Sequence, residues 1–256
     1  MGLLAKIDHS KIPNMKHFYK EAMNLDFDKG NKFQVPYAWG TTGLCYRSDL
    51  VSGTPSSWND LLEPSNDLVG KITMLSTDRW LLSAGLLSLG YSVNETDPNK
   101  LNEAKAKLIS AKKNLLAYDD TLFYAKLLSG EASMTHAWDG WCNYAIWENP
   151  DVKFVVPSEG SDLWVDTMVI MKSSSNKDEA HAFINYILDP AISTWTVENI
   201  MYKVPNKTAM EASAGMFEQF PNLGMSIDEL SNHETLKDVG SAAKLYAKTV
   251  SEILSD

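Results

Sequence analysis

Trp164-Val-Asp-Thr-Met-Val-Ile-Met171 is the most strand-like run in the chain, dense in β-branched and apolar residues. Just after it, Lys177 to Leu188 is amphipathic, and the spacing of Ala180, Phe183, Ile184, Ile187 and Leu188 predicts a helix burying that stripe. Asp189-Pro190 breaks this helix, Ala191 to Met201 forms a second one, and Pro205-Asn206 marks a turn. Upstream the alternation continues. Val152 to Pro157 and Ser133 to Trp138 read as short strands, and a helix capped at Asp119-Asp120 ends at Gly130. Asp97-Pro98 opens a helix with Leu101, Ala104, Leu108 and Ile109 on one face. Ser76-Thr-Asp-Arg caps another that runs to Leu89, directly after a buried strand at Lys71 to Leu75. Ser57 and Asp60 have capping-box spacing, and Pro36 to Arg47 is extended. Ser241 to Leu254 is a last amphipathic helix with Ala242, Leu245, Tyr246, Val250 and Ile253 inward. Short strands alternating with helices define an α/β architecture. No flexible linker interrupts it, so any domain boundary is crossed by strands.

The composition bounds the function. The chain has 256 residues, enough for one or two domains with a real core. Its 23 basic and 33 acidic residues give a net charge of -10, the wrong sign for gripping phosphate backbones, which argues against nucleic acid as a partner. The acidic balance suits solubility first and a cationic ligand second. No stretch approaches the length of a membrane span. The start, Met1-Gly-Leu-Leu-Ala-Lys6, lacks the basic segment and long apolar run of a signal peptide. Cys45 and Cys142 are too few for a disulfide framework; one bridge is open to them, and two buried free thiols is the first expectation.

Nucleotide-binding, zinc-protease and nucleophile-elbow motifs are absent from the sequence, and no histidine stands at metal-ligand spacing. His136 and Cys142 supply a base and a nucleophile for a hydrolase, but the strand and the loop expected at Asp139 give that pairing no geometry. Aromatic side chains beside carboxylates are more informative. Trp138-Asp139-Gly140-Trp141 follows a strand, and Trp164 and Asp166, two apart on a strand, share a face. An indole face attracts a cation by ~0.5–2 kcal/mol, and a carboxylate adds a charge-assisted hydrogen bond to each ammonium N–H it reaches. The competing reading packs Trp164 in the core and lets Asp166 pair locally.

Several segments resemble the spermidine/putrescine-binding proteins of bacterial ABC transporters. They are Pro36-Tyr-Ala-Trp-Gly-Thr-Thr-Gly43, Leu87-Ser-Leu-Gly-Tyr-Ser92, Gly130-Glu-Ala-Ser-Met-Thr-His-Ala-Trp138, Trp164 to Ile170, Met201-Tyr-Lys-Val-Pro-Asn206 and Lys237-Asp-Val-Gly-Ser-Ala-Ala-Lys-Leu-Tyr246. Each is weakly specific alone; together they stand in the family's order over almost the whole chain. The resemblance implies a two-lobed type II periplasmic-binding-protein fold, a non-catalytic transport role without cofactor or metal, a polyamine ligand held in an interlobe cleft, and membrane permease subunits as partners. It also implies a periplasmic location. By this analogy residues 1–41 and 166–212 form the first lobe and 42–165 and 213–256 the second, with Gly40 and Gly43 free to absorb hinge rotation.

Trp138, Trp164, Asp166 and Tyr202 match ligand positions: the indoles stack on the alkyl chain, Asp166 takes an amine, and Tyr202 adds a wall. Three departures accompany the match. In that family the helix after the strand at 71–75 offers an acidic side chain. Here Trp80 stands at that place after Thr77 and Asp78, so that either Asp78 substitutes or the distal amine has no carboxylate. Leu236 replaces a glutamine. The chain starts where the family is already under way, which implies an incomplete first lobe. Trp80 and Leu236 leave open a second reading, in which the same fold binds another amine or an amino-acid-like solute.

Overall fold

Among residues 2–255, which the computed structural model describes, seven strands form: β1 (Gln34–Arg47), β2 (Ile72–Met74), β3 (Ala117–Tyr118), β4 (Met134–Trp138), β5 (Val152–Val155), β6 (Asp162–Val169) and β7 (Glu234–Thr235). Sequence readings that rest on Met1 lie outside those residues. The helices between strands begin and stop on local signals. Ser57 and Asp60 form a complete capping box at Trp58–Leu62, Asp97 accepts from the Asn99 N–H to cap Pro98–Lys112, and Gly130 ends Phe123–Ser129 at φ 78°. One local expectation changes: a helix, Asp139–Glu148, follows β4 with no intervening loop.

The chain divides into two units, Met1–Gly40 with Trp164–Ser231 and Thr41–Leu163 with Asn232–Asp256. Two of the divisions fall inside β1 and β6, so strands cross them. The second unit is built on β2, which pairs in parallel with β3 and β4. β1 runs antiparallel to β4, with Thr42 opposite Trp138, and antiparallel to β5. The start of β6 pairs in parallel with β7, Asp162 opposite Glu234. Leu44, Trp58, Leu81, Leu101, Leu108 and Ile253 are fully buried in its core, each stabilising the fold by ~1.5–3 kcal/mol of apolar burial. The terminal helix Ala243–Ser255 seals that core with Tyr246, Val250 and Ile253. Leu236 also packs against it, and its N–H donates to the Leu163 carbonyl.

Gly43 also has a packing role that the sequence did not announce. A Cβ there would lie 2.5 Å from the Val155 carbonyl oxygen and 2.7 Å from the Phe154 ring. β5 therefore approaches β1 at a place where only hydrogen fits. Gly43→Ala is expected to destabilise the protein by about 1–3 kcal/mol through overpacking, measured as a lower urea midpoint at unchanged slope.

In the first unit Ile7, Ile12, Val35, Ile170, Ile184 and Leu188 form a core. Helix Lys177–Ile187 turns most of the expected stripe inward: Ile184 and Leu188 are buried, Ala180 packs against them and Ile187 is half-buried, whereas Phe183 is 60% exposed and His181 is buried in its place. The cause is His181, whose Nε2 accepts from the Asp8 N–H at 2.9 Å and fixes the helix rotation. Residues 213–231, expected in the second lobe, pack with the first unit. Buried Lys203 explains this, because its ammonium donates to the Leu223 and Met225 carbonyls and wraps their segment around it.

Candidate functional site

The six candidate residues fall into two sets, one in each unit. In the first unit, β6 carries Trp164 and Asp166. Helix Pro190–Ile200 ends at Met201 in the left-handed region, φ 60°. For a residue other than glycine that conformation is uncommon and costs strain. It turns the chain so that Tyr202 meets Trp164 edge-on, ring centroids 5.1 Å apart. The turn is anchored beside β1 by the Trp39 N–H, which donates to the Lys203 carbonyl at 3.1 Å.

Trp164 is 7% exposed, and its indole N–H has no protein acceptor among the described residues. The core-packing reading of Trp164 is therefore right about burial but leaves that donor unexplained. Asp166 stays open to solvent. Among the described residues no side-chain hydrogen bond or ion pair engages its carboxylate, and the partly desolvating surroundings raise its pKa above the usual aspartate value. Its charge is felt by Tyr37 on β1, a residue not singled out in the sequence; burial first and Asp166 second raise the Tyr37 pKa.

In the second unit, β4 ends at Trp138, which is half-buried. Trp80, in the first turn of helix Asp78–Leu87, packs edge-on against it with centroids 5.3 Å apart. Phe123 also approaches Trp138, tilted, with centroids 6.2 Å apart. Asp78 is the first residue of that helix, half-buried, and none of these aromatic contacts involves it. The carboxylate next to Trp80 is Asp162, which sequence reasoning missed. The Trp80 Nε1–H donates to Asp162 Oδ2 at 3.1 Å, and the Thr42 hydroxyl donates to Oδ1 at 2.5 Å. Asp162 is fully buried, and desolvation pushes its pKa up to about 6 against the lowering effect of Thr42, its own backbone, Trp80 and the charge of Arg79. One signal was available: Asp162 extends the period-two row of Trp164 and Asp166 by one step.

The His136 and Cys142 pairing is excluded. Cys142 is joined to Cys45 in a disulfide, contrary to the expected free thiols, with Cα atoms 5.8 Å apart across 97 residues of sequence. His136 lies edge-on to Trp58, ring centroids 5.0 Å apart, and burial alone lowers its pKa to about 3. It is thus a neutral core residue near pH 7. Asp139 is buried at the start of its helix and accepts from the Gly140 N–H at 2.9 Å. Neighbouring Trp141 stacks on Tyr124, centroids 5.1 Å apart. Among the described residues no cluster of three or more His, Cys, Asp or Glu could hold a metal ion, and no helix is long and apolar enough to cross a membrane.

Each unit by itself carries side chains that could hold an alkyl-ammonium group: in the first, an open carboxylate on the strand of a buried indole; in the second, an indole pair backed by a buried carboxylate. Comparisons with known proteins agree with a solute-holding design. Residues 1–223 match the model of a family described as bacterial extracellular solute-binding protein. The spermidine/putrescine-binding periplasmic protein 1 of Haemophilus influenzae is 30% identical over 253 residues, covering 98% of this chain and 70% of that protein. The spermidine/putrescine-binding periplasmic protein of Salmonella typhimurium is 31% identical over 248 residues, covering 96% and 70%. Among solved structures, the spermidine/putrescine ABC transporter substrate-binding protein of Streptococcus pneumoniae, in complex with calcium and HEPES, superposes with a TM-score of 0.87. It shares 30% identity over 99% of this chain and 78% of that one. The chain belongs to the bacterial extracellular solute-binding protein family, whose fold in these relatives is the two-lobed periplasmic one.

Proposed function

We propose that this protein captures a polyamine, spermidine or putrescine, outside the cytoplasm and delivers it to the permease subunits of an ABC transporter, without catalysing a reaction. The observation that carries this reading is Asp166: a carboxylate with no protein cation among the described residues, two positions from the Trp164–Tyr202 pair on the same strand. An ammonium group satisfies that charge, and the aromatic rings cover its methylene stem. In the second unit, by itself, Trp80 and Trp138 form an aromatic surface suited to an alkyl-ammonium group, and Asp78 opens the helix that carries Trp80. Two relatives named for binding spermidine and putrescine support the substrate class. The disulfide supports the location, since such bonds persist in oxidising compartments.

Calorimetric titration with putrescine and 1,4-butanediol tests the proposal, because the two share a carbon chain and differ in charge. Saturable heat from putrescine and none from the diol is the expected result. Equal behaviour of the two, or no heat from putrescine and spermidine, contradicts it.

A further inference from the structure

Asp162 is a buried carboxylate that makes no direct ion pair among the described residues; the charge of Arg79 reaches it only from beyond contact, as the weakest influence on its pKa. Its two oxygens are held by neutral donors, the Trp80 indole N–H and the Thr42 hydroxyl. Arg79, one residue before Trp80, turns instead to the Asn94 side chain and to the Lys237 and Val93 carbonyls. Burying a charge with only a remote counter-charge costs stability. An asparagine could accept the indole hydrogen bond with no such cost, so retention of the charge needs another reason.

The geometry points to one. We propose that Asp162 is a positioning residue for polyamine binding: it locks the Trp80 indole edge-on to Trp138 and, through the shared N–H, makes the indole face more negative toward an arriving ammonium group. The inference rests on the reading of Trp80 and Trp138 as a ligand surface. Three contacts make the arrangement stiff. Asp162 is fixed in the sheet by pairing of β6 with β7, its Oδ1 is clamped from β1 by Thr42, and Trp80 is pinned between Oδ2 and the Trp138 ring. An indole donating to a carboxylate is polarised along the hydrogen bond. A ring with more negative charge on its face holds a cation more tightly. The negative charge thus reaches the ligand through a ring that also covers its alkyl chain, something a bare carboxylate at the same place would not do.

The test compares putrescine affinity by calorimetry in wild type, Asp162→Asn, Trp80→Phe and the double variant, with thermal melts to establish that each folds. Asp162→Asn is expected to weaken binding about 5–10-fold, inside the roughly 2–30-fold range of a cation–π contribution. Trp80→Phe removes the indole donor, and the added Asp162→Asn change should then cost little, because both act on one element. A readout independent of ligand is the indole N–H resonance that disappears in Trp80→Phe. It should shift upfield in Asp162→Asn as the charged acceptor is lost. Unchanged affinity in Asp162→Asn, an equal loss in the Trp80→Phe background, or an unmoved indole resonance each overturns the inference. A wild-type protein that takes up neither putrescine nor spermidine overturns the functional reading and this inference with it; normal wild-type binding with any of the former results overturns this inference alone.

Discussion

Asp166→Ala is expected to abolish measurable polyamine binding while leaving the fold intact. The carboxylate has no protein partner among the described residues to be orphaned by its removal, and it stays open to solvent, so stability should change little. The ligand, in contrast, loses its charge-assisted hydrogen bonds. Truncating one partner of a desolvated charge pair costs about 2–5 kcal/mol, or roughly 30- to several-thousand-fold in affinity. Asp166→Asn keeps the shape and removes the charge, and should lose nearly as much. Acid has the same effect by another route. The Asp166 pKa is raised, so its proton returns at a higher pH than for an ordinary aspartate, whereas the amines stay charged throughout. Affinity should therefore fall as pH drops through the upper carboxylate range, and Asp166→Asn should lose that part of the dependence. Calorimetric titration checks each point; undiminished affinity in Asp166→Ala removes the residue from the site.

Cutting the Cys45–Cys142 bond should have the largest effect on stability. The bond joins β1 to helix Asp139–Glu148 across 97 residues of sequence, and both cysteines are fully buried. A loop near 100 residues loses ~4.7 kcal/mol of unfolded-state entropy in the chain-entropy account, and measured losses on removal run about 2–5 kcal/mol. The paired Cys45→Ala and Cys142→Ala variant should accordingly melt roughly 5–15 °C lower. Putrescine affinity of the folded variant should stay close to wild type, since neither cysteine belongs to the aromatic sets. A melting temperature indifferent to both the substitutions and a reductant would contradict a structural role for the bond.

The sequence made the elements legible because their signals are local. Ser57 with Asp60, Asp97 before Pro98, and Gly130 each act within one turn of the helix they bound. Strand character at Trp164 likewise comes from residue types in a row. The misreadings arose where distant residues decide. On helix Lys177–Ile187 a single residue departs: Phe183 satisfies the helical period as well as His181 does, and the hydrogen bond from the Asp8 backbone holds His181 inward. Residues 213–231 follow the ammonium of Lys203, a contact invisible in composition. Gly43 looked permissive, yet the close approach of Val155 gives it a packing role as well. The two cysteines carried no pairing information until β1 and the helix after β4 stood side by side. Within the candidate site, carboxylate and indole two apart on a strand were readable, and so was Tyr202 by resemblance. Asp162 was readable only as one more step in that period-two row, and its role waits on the indole and hydroxyl partners that arrive from the Trp80 helix and β1.

The central claim is that an alkyl-ammonium group is held by the carboxylate of Asp166 with aromatic rings along its stem. A crystal structure of the protein grown with putrescine measures this directly. The account predicts an ammonium nitrogen about 2.7–2.9 Å from an Asp166 oxygen, with methylenes against the Trp164 or Tyr202 ring. Putrescine bound elsewhere with the Asp166 carboxylate still facing water would contradict it.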